Sequence, residues 1–398
     1  MKKILAMLLA LVMVMGLVAC GTDAPETTAP AETTDPAEST PAETNPAEST
    51  PAVSDVEYKI AMITDYGDIT DQSFNQTTYE AVKAFSEANG VAYNYYKPSG
   101  DSTAERIAMV DAAIVDGYNV IVMPGFAFGE TLAEVADLYP EIKFVALDVA
   151  EGEGGFTATE NVFSAVYQEE LSGYMAGYAA VKLGYKHLGY LGGMAVPAVQ
   201  RFGYGYLQGI DAAAKELGIV GDIKVEYVYG NQFYGDADIT AVMDTWYGEK
   251  GVECVFACGG GIWSSAAEAA AKVGGKVIGV DVDQAAIIDG QYGEGMTVTS
   301  AMKGLAPTVN TLLTAIILED NWAAYAGKIE TLGLVSADPE ANYVQIPMAS
   351  TQFAEGFTAE DYSALVAAMF EGTVVVSGDI SAFPTTEVAV ETYADIKG

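Results

Sequence analysis

The chain has 398 residues, and 18 Lys and Arg stand against 55 Asp and Glu, a formal net charge of −37. So acidic a surface repels polyphosphate backbones and anionic headgroups, which excludes nucleic acid as a partner. With one His and three Cys, neither a zinc site nor a Ser-His or Cys-His device has enough parts, so no metal, cofactor or catalytic centre of those kinds is expected.

Lys2 and Lys3 precede an apolar run over residues 4–16, and Leu17-Val-Ala-Cys20-Gly21 follows. The run is too short to stop in a bilayer and reads as a signal peptide, residues 1–19, removed from the mature chain. Its ending resembles the bacterial lipobox, which implies that Cys20 is lipidated and anchors the protein at the extracytoplasmic face of the cell membrane. Residues 20–54 are almost entirely Thr, Ala, Pro, Glu and Ser, with a near repeat at Pro36-Ala-Glu-Ser-Thr and Pro46-Ala-Glu-Ser-Thr. That stretch has too little apolar surface to offset the entropy of ordering, and it reads as a disordered, extended tether. Residues 55–398 are long enough for two domains, and no later segment is apolar enough to span a membrane.

In chain order, residues 60–63 form a buried strand, a polar loop follows, and a helix runs from Gln76 through Tyr79, Val82 and Phe85. Residues 91–96 read as a second strand, and Ser102-Thr-Ala-Glu105 is a capping box that starts a helix. Strands at 118–123 and 143–148 flank a helix at 130–139. A second set follows: helix 168–183, strand 188–191, helix 197–217, strand 224–229, helix 236–246, strand 252–257, helix 264–273 and strand 276–281. A strand at 296–300, a helix beyond Gly304, a helix at 363–370 and a strand at 373–376 close the pattern. Strict alternation argues for an α/β fold of two doubly wound parallel-sheet lobes with a cleft between them.

Several strands end in polar or small residues at the cleft side: Asp65, Asp148, Gly259 to Gly261, and Asp281. Ligands of open parallel sheets bind beyond the carboxyl ends of the strands. Asp71 in the first loop reads as a cap for the helix near Ser73. Tyr66, Phe74, Phe202, Phe233 and Trp263 lie near the same crevice, either as packing or as platforms for a planar ring. Lys303 is one of few cations, either a fixer of Asp281 that also reaches the ligand or one half of an ordinary salt bridge. Gly203-Tyr-Gly-Tyr-Leu-Gln-Gly209 lies inside a helix pattern with the wrong spacing for a phosphate loop. Cys254 and Cys258 sit on one face of a strand roughly 13 Å apart, too far for a disulfide. His187 reads as a satisfied side chain.

Asp71-Gln-Ser-Phe-Asn75 resembles the Asp-x-Ser-Phe-Asn motif of the basic membrane protein family of lipoproteins, the nucleoside-binding components of ABC transporters. Asn161-Val-Phe-Ser-Ala-Val-Tyr-Gln-Glu-Glu-Leu-Ser-Gly-Tyr-Met-Ala-Gly-Tyr-Ala-Ala180, Gly189-Tyr-Leu-Gly-Gly-Met-Ala-Val-Pro197, Val277-Ile-Gly-Val-Asp-Val-Asp-Gln284 and Thr299-Ser-Ala-Met-Lys303 add to the likeness. The resemblance implies a type I periplasmic-binding-protein fold with a hinge, lobe 1 at residues 55–160 plus 285–325 and lobe 2 at 161–284 plus 326–398. It also implies a monomer that holds a nucleoside, by expectation a purine nucleoside, for an ABC permease without changing it chemically. The base would lie between Tyr66 and Phe233, with Trp263 and Phe202 as substitutes, and would hydrogen-bond Asn75 and Asp148. Asp281, Lys303 and the glycines near Gly260 would hold the ribose. The chain departs from the family pattern at Tyr66-Gly-Asp-Ile-Thr70 and at Trp263-Ser264, both at the pocket rim. A sugar-binding protein of the same fold is the nearest alternative, and a nucleoside hydrolase using paired carboxylates is the second.

Overall fold

The computed structural model describes residues 56–398, so the expected signal peptide, lipidated Cys20 and tether lie outside the described residues. β1 (Lys59–Ile63), β2 (Ala92–Tyr96), β3 (Val120–Pro124), β4 (Lys143–Leu147) and β5 (Val162–Tyr167) alternate with α1 (Phe74–Asn89), α2 (Thr103–Val115) and α3 (Phe128–Val135). α4 (Glu169–Lys182) leads into β6 (His187–Gly192), α5 (Pro197–Leu217), β7 (Lys224–Tyr229), α6 (Ala237–Asp244) and β8 (Cys254–Cys258). α7 (Trp263–Val273), β9 (Lys276–Asp281), α8 (Ala285–Tyr292), β10 (Thr297–Lys303) and α9 (Leu305–Leu313) follow. β11 (Lys328–Leu332), β12 (Val344–Gln345), α10 (Ala359–Phe370) and β13 (Ala389–Thr392) complete the order.

Two sheets result, in the orders β11-β5-β4-β3-β1-β2 and β12-β10-β9-β8-β6-β7-β13. Every pairing is parallel except that of β10 with β12. Parallel strands need crossover helices on both faces, so their side chains are apolar in both directions. In β1, Ile60 and Met62 join a core shared with α1 and α9, while Ala61 and Ile63 join one shared with α2 and α3. Each large aliphatic chain buried this way contributes about 1.5–3 kcal/mol. Cys254 and Cys258 follow the same period of two: both are buried, unpaired and on one face, in the core under α4 and α5. At the start of α2, Ser102 accepts from the Glu105 amide, which is half of the expected capping box; the Glu105 carboxylate takes the hydroxyls of Ser99 and Ser102 rather than the Ser102 backbone amide.

The chain passes between the sheets three times: from β5 to α4, from β10 to α9, and from β11 to β12. The crossing strands are tied together by Gln168 N–H to Leu332 O at 2.9 Å, Gly304 N–H to Tyr343 O at 2.7 Å and Tyr343 N–H to Gly333 O at 3.1 Å. The expected lobe limits need correction here. β5 and β11 belong to the first sheet and β10 to the second, whereas the sequence reading put residues 161–167 and 328–332 in lobe 2 and 297–303 in lobe 1. Lobe membership follows from which edge each strand pairs with, and local periodicity does not carry that information.

The glycines of the apparent phosphate loop have a packing role. A methyl group on Gly205 or Gly209 of α5 would lie 2.0 or 2.1 Å from the carbonyl oxygens of Glu170 and Tyr174. Gly173 and Gly177 of α4 are equally tight against Phe202 and Tyr206, at 2.2 Å. The two helices thus touch backbone to backbone, which sets Glu169 and Arg201 side by side, with Arg201 Nε donating to Glu169 Oε2 at 2.6 Å.

The strand expected at 373–376 is absent. Thr373 and Val374 donate their amides to Ala368 O and finish α10, and the free edge of the second sheet beside β7 is taken by β13 instead. The chain between them crosses α5, held by Gln208 at Ser377 and by Asp211 accepting the amides of Glu387 and Val388. Beneath it lies Glu170, 5% exposed, with one carboxylate oxygen unpartnered. Burial pushes this carboxyl up from 4.5 to about 7, and neighbouring Glu169 adds to the rise. An acid with a raised folded pKa takes up protons on folding, so its contribution to stability falls as pH climbs through about 7. Glu170→Gln is expected to stabilise the protein by about 2 kcal/mol near pH 8 and to leave stability unchanged near pH 4.5. Urea unfolding at both pH values checks this, and equal shifts at the two would contradict the burial account.

Candidate functional site

The carboxyl ends of both sheets face a cavity of about 630 Å³, within the usual range for small-molecule sites. The loop after β1 is organised by two aspartates. Asp65 accepts the amides of Tyr66 and Gly67 at 2.7 and 2.8 Å. Asp71 accepts those of Ser73, Asn75 and Gln76 at 2.9–3.0 Å and the Asn75 side-chain amide at 3.1 Å. Asp71 therefore caps α1 and aims Asn75, as its position in the sequence led us to expect. A Cβ on Gly67 would lie 2.2 Å from Asn75 Nδ2, so the loop needs glycine there.

Asp148 ends the first sheet's β4, and Asp281 is the last residue of the second sheet's β9. Both adopt left-handed backbone, φ 63° and 65°, a conformation that Asp tolerates better than most residues. Between them stands Lys303 of β10, its side chain 3% exposed. Its ammonium is paired with Asp148 and lies 3.6 Å from Glu169 Oε1 and 3.7 Å from Asp281 Oδ1. The rings of Phe74, Tyr167 and Phe202 surround it at 4.6, 5.5 and 5.7 Å. The expectation that Lys303 serves Asp281 is thus too narrow: its closest partner is Asp148, and the alternative of a surface salt bridge fails because the pair is buried.

Three buried carboxylates share one ammonium, and the imbalance shows in their acidity. Burial raises Asp148 to about 6, against the pull of Lys303 and with repulsion from Glu169. Burial also raises Asp281, which Lys303 and Ser73 oppose. For Lys303 burial works downward, but the three carboxylates outweigh it and raise its pKa above 10.5, so it stays charged at neutral pH. Asp148 Oδ1 and Asn75 Oδ1 are buried with no hydrogen-bond partner among the described residues, and so is the indole Nε1 of Trp263. Each such orphan costs about 1–3 kcal/mol, a cost that a ligand with matching donors and an acceptor removes.

All nine residues expected at the cleft line this cavity: Tyr66, Asn75, Asp148, Phe202, Phe233, Gly260, Trp263, Asp281 and Lys303. They differ in what they present. Phe233 lies on a glycine bed, where a Cβ at Gly193 or Gly259 would meet its ring at 2.4 or 2.8 Å. Half-buried Tyr66 donates its hydroxyl to Met194 Sδ across the cleft at 3.1 Å. Phe202 is 2% exposed and edge-on to Phe256, and Trp263 is 4% exposed and edge-on to Tyr292. Both of the latter also pack edge-on within the second lobe while lining the cavity. Sequence reasoning missed Glu169, Ser73 and Gln284, all fully buried. The only signal for Glu169 was an acidic pair directly after a strand. His187 is away from the cavity and is satisfied by Glu226 at 2.9 Å. No group of residues suited to hold a metal ion occurs among the described residues.

Residues 58–337 match the family model described as ABC transporter substrate-binding protein PnrA-like, Bmp. The chain is 29% identical over 241 residues to the ABC transporter nucleoside-binding protein BmpA of Lactococcus lactis, covering 57% of this chain and 65% of that relative, just under two thirds of its length. It is 27% identical to basic membrane protein B of Borreliella afzelii, over 69% of this chain and 78% of the relative. Among solved structures, a solute-binding protein of an ABC transporter system from Aeropyrum pernix superposes with TM-score 0.63 at 24% identity, covering 80% of this chain and 87% of that one. A second from Conexibacter woesei gives 0.61 at 20% identity, covering 81% and 99%. Those two likenesses concern the fold, and the family rests on the matched 58–337 stretch. The chain belongs to the Bmp family of PnrA-like ABC transporter substrate-binding proteins.

Proposed function

We propose that this protein captures an uncharged nucleoside, a purine nucleoside by preference, between its two lobes and delivers it unchanged to an ABC permease. The observation that carries the reading is the buried Asp148–Lys303–Asp281 group at the ends of two sheets, beside the ring of Phe233. A base stacks on a ring for about 1–3 kcal/mol. Ionised oxygens of Asp281 and Asp148 suit the hydroxyl and N–H donors of a nucleoside, since a carboxylate accepts several hydrogen bonds at once. Tyr66 flanks the base from the other lobe and Asn75 reads its edge. The indole N–H of Trp263 gives an oxygen or ring nitrogen of the ligand a donor. The name of the Lactococcus relative, a nucleoside-binding protein, supports the same ligand class. Anchoring through a lipid on Cys20, outside the membrane, accords with a relative in Pyrococcus abyssi that is named a lipoprotein. The protein works as a monomer and catalyses no reaction on its cargo.

Thermal-shift screening of the full chain against nucleosides, free bases and sugars tests this. A ligand at 100 times its Kd adds about 2.7 kcal/mol of stability, so at least one purine nucleoside is expected to raise the melting temperature. If pentoses or hexoses shift the transition and no nucleoside does, the sugar-binding alternative replaces this reading.

A further inference from the structure

The two lobes are joined across the cleft by hydrogen bonds that the protein makes to itself. Ser73, fully buried at the start of α1, donates its hydroxyl to Asp281 Oδ2 at 2.5 Å. Gln284, fully buried in the other lobe, donates its side-chain amide to the carbonyl oxygen of Gln72 at 3.0 Å. The Gln284 side chain is held at both ends. Gln284 Oε1 accepts the amide of Val280 at 2.9 Å, and the Gln284 backbone amide donates to Ser300 Oγ at 3.1 Å. Gln72 holds a left-handed backbone, φ 56°, which few glutamines adopt without compensation.

From these contacts we infer that Ser73 and Gln284 are positioning residues that form a closure latch: they hold the lobes shut over the cargo and fix the rotamer of Asp281. The Ser73 bond is charge-assisted and shielded from water, the setting in which a hydroxyl–carboxylate bond is strongest. It also divides the Asp281 carboxylate. Ser73 takes one acceptor position of Oδ2, while Oδ1 faces Lys303. When the lobes part, Asp281 and Gln72 are exposed to water and the latch residues lose their partners together. Ser73 thereby couples the first lobe's motif loop directly to the second lobe's binding carboxylate.

The test uses full-length wild type and Ser73→Ala, with small-angle X-ray scattering on ligand-free and saturated protein and stopped-flow release of the best-binding compound from the thermal-shift panel. Ligand-free Ser73→Ala is expected to have a larger radius of gyration than ligand-free wild type, and to match it at saturation. Release is expected to quicken about tenfold to a hundredfold, with the association rate within about threefold of wild type. A residue of purely structural importance would lower stability without this split between release and association. Unchanged ligand-free scattering overturns the latch, and so does wider scattering with unchanged release. If the alanine variant does not fold, Ser73→Cys keeps the volume with a weak donor and carries the same readouts. The release arm rests on the proposed function, but the ligand-free scattering arm does not. A protein that binds no nucleoside refutes the function while leaving the latch to be judged by scattering alone.

Discussion

Lys303→Met is expected to lower unfolding free energy by about 3–5 kcal/mol at neutral pH, the range for removing one partner of a buried ion pair. The methionine fills the same apolar cage of Phe74, Tyr167 and Phe202, so the loss is electrostatic rather than a cavity effect. Asp148 and Asp281 are left buried without their ammonium, and Glu169 keeps only Arg201 as a counterion. The loss depends on pH with a definite sign. Asp148 has a folded pKa near 6, above its ordinary 3.8, and without the ammonium it rises further. Its folded state therefore prefers the proton, and the penalty for ionising it grows as pH climbs from about 4 through 6 and beyond. Lys303, raised above 10.5, stays charged at every pH below that value, so the pH dependence comes from the carboxylates it serves. Urea titrations of both proteins near pH 5 and pH 8 should show a small deficit at the lower pH and the full one at the higher. A deficit that is absent, or equal at both, would contradict the charge account.

Asp281→Ala is expected to weaken nucleoside binding by about a hundredfold or more, the loss of one or two charge-assisted hydrogen bonds to a desolvated ligand. It removes the acceptor proposed for the ligand and the acceptor for Ser73 together. Asp71→Ala makes the useful contrast. Asp71 spends its carboxylate on the amides that open α1 and on Asn75, so its loss should appear mainly as about 1–2 kcal/mol of stability. Calorimetric titration beside denaturant unfolding separates the two effects. Wild-type affinity in Asp281→Ala would remove this residue from the site.

Much of this was legible in the sequence for definable reasons. Consecutive apolar residues marked β1, β3, β4, β8 and β9 because strands covered on both faces have no polar side. Aspartates recurred at strand ends because the carboxyl edge of a parallel sheet is where chain, water and ligand meet. The capping role of Asp71 was legible because the residues it serves lie within five positions of it. What was not legible depends on distant partners. Ser73 meets Asp281 and Gln284 meets Gln72 more than 200 residues away in the chain, and no local pattern encodes that. Phe202 and Trp263 lie at the cavity as their positions indicated, but their edge-on packing against Phe256 and Tyr292 depends on partners that no local pattern names. β13 escaped because it earns strand geometry only by pairing with β7.

The central claim is that the cleft takes a neutral nucleoside. Asp148, Asp281 and Glu169 outnumber the Lys303 and Arg201 cations beside them and repel an added phosphate, so charge on the ligand is the sharpest discriminator. One calorimetric series with the full chain, purine nucleosides against their 5′-monophosphates and against ribose, measures it directly. The account predicts saturable one-to-one binding of a nucleoside, with the monophosphate at least about a hundredfold weaker and ribose alone undetected. Equal affinity for nucleoside and monophosphate, or heat with ribose only, would contradict it.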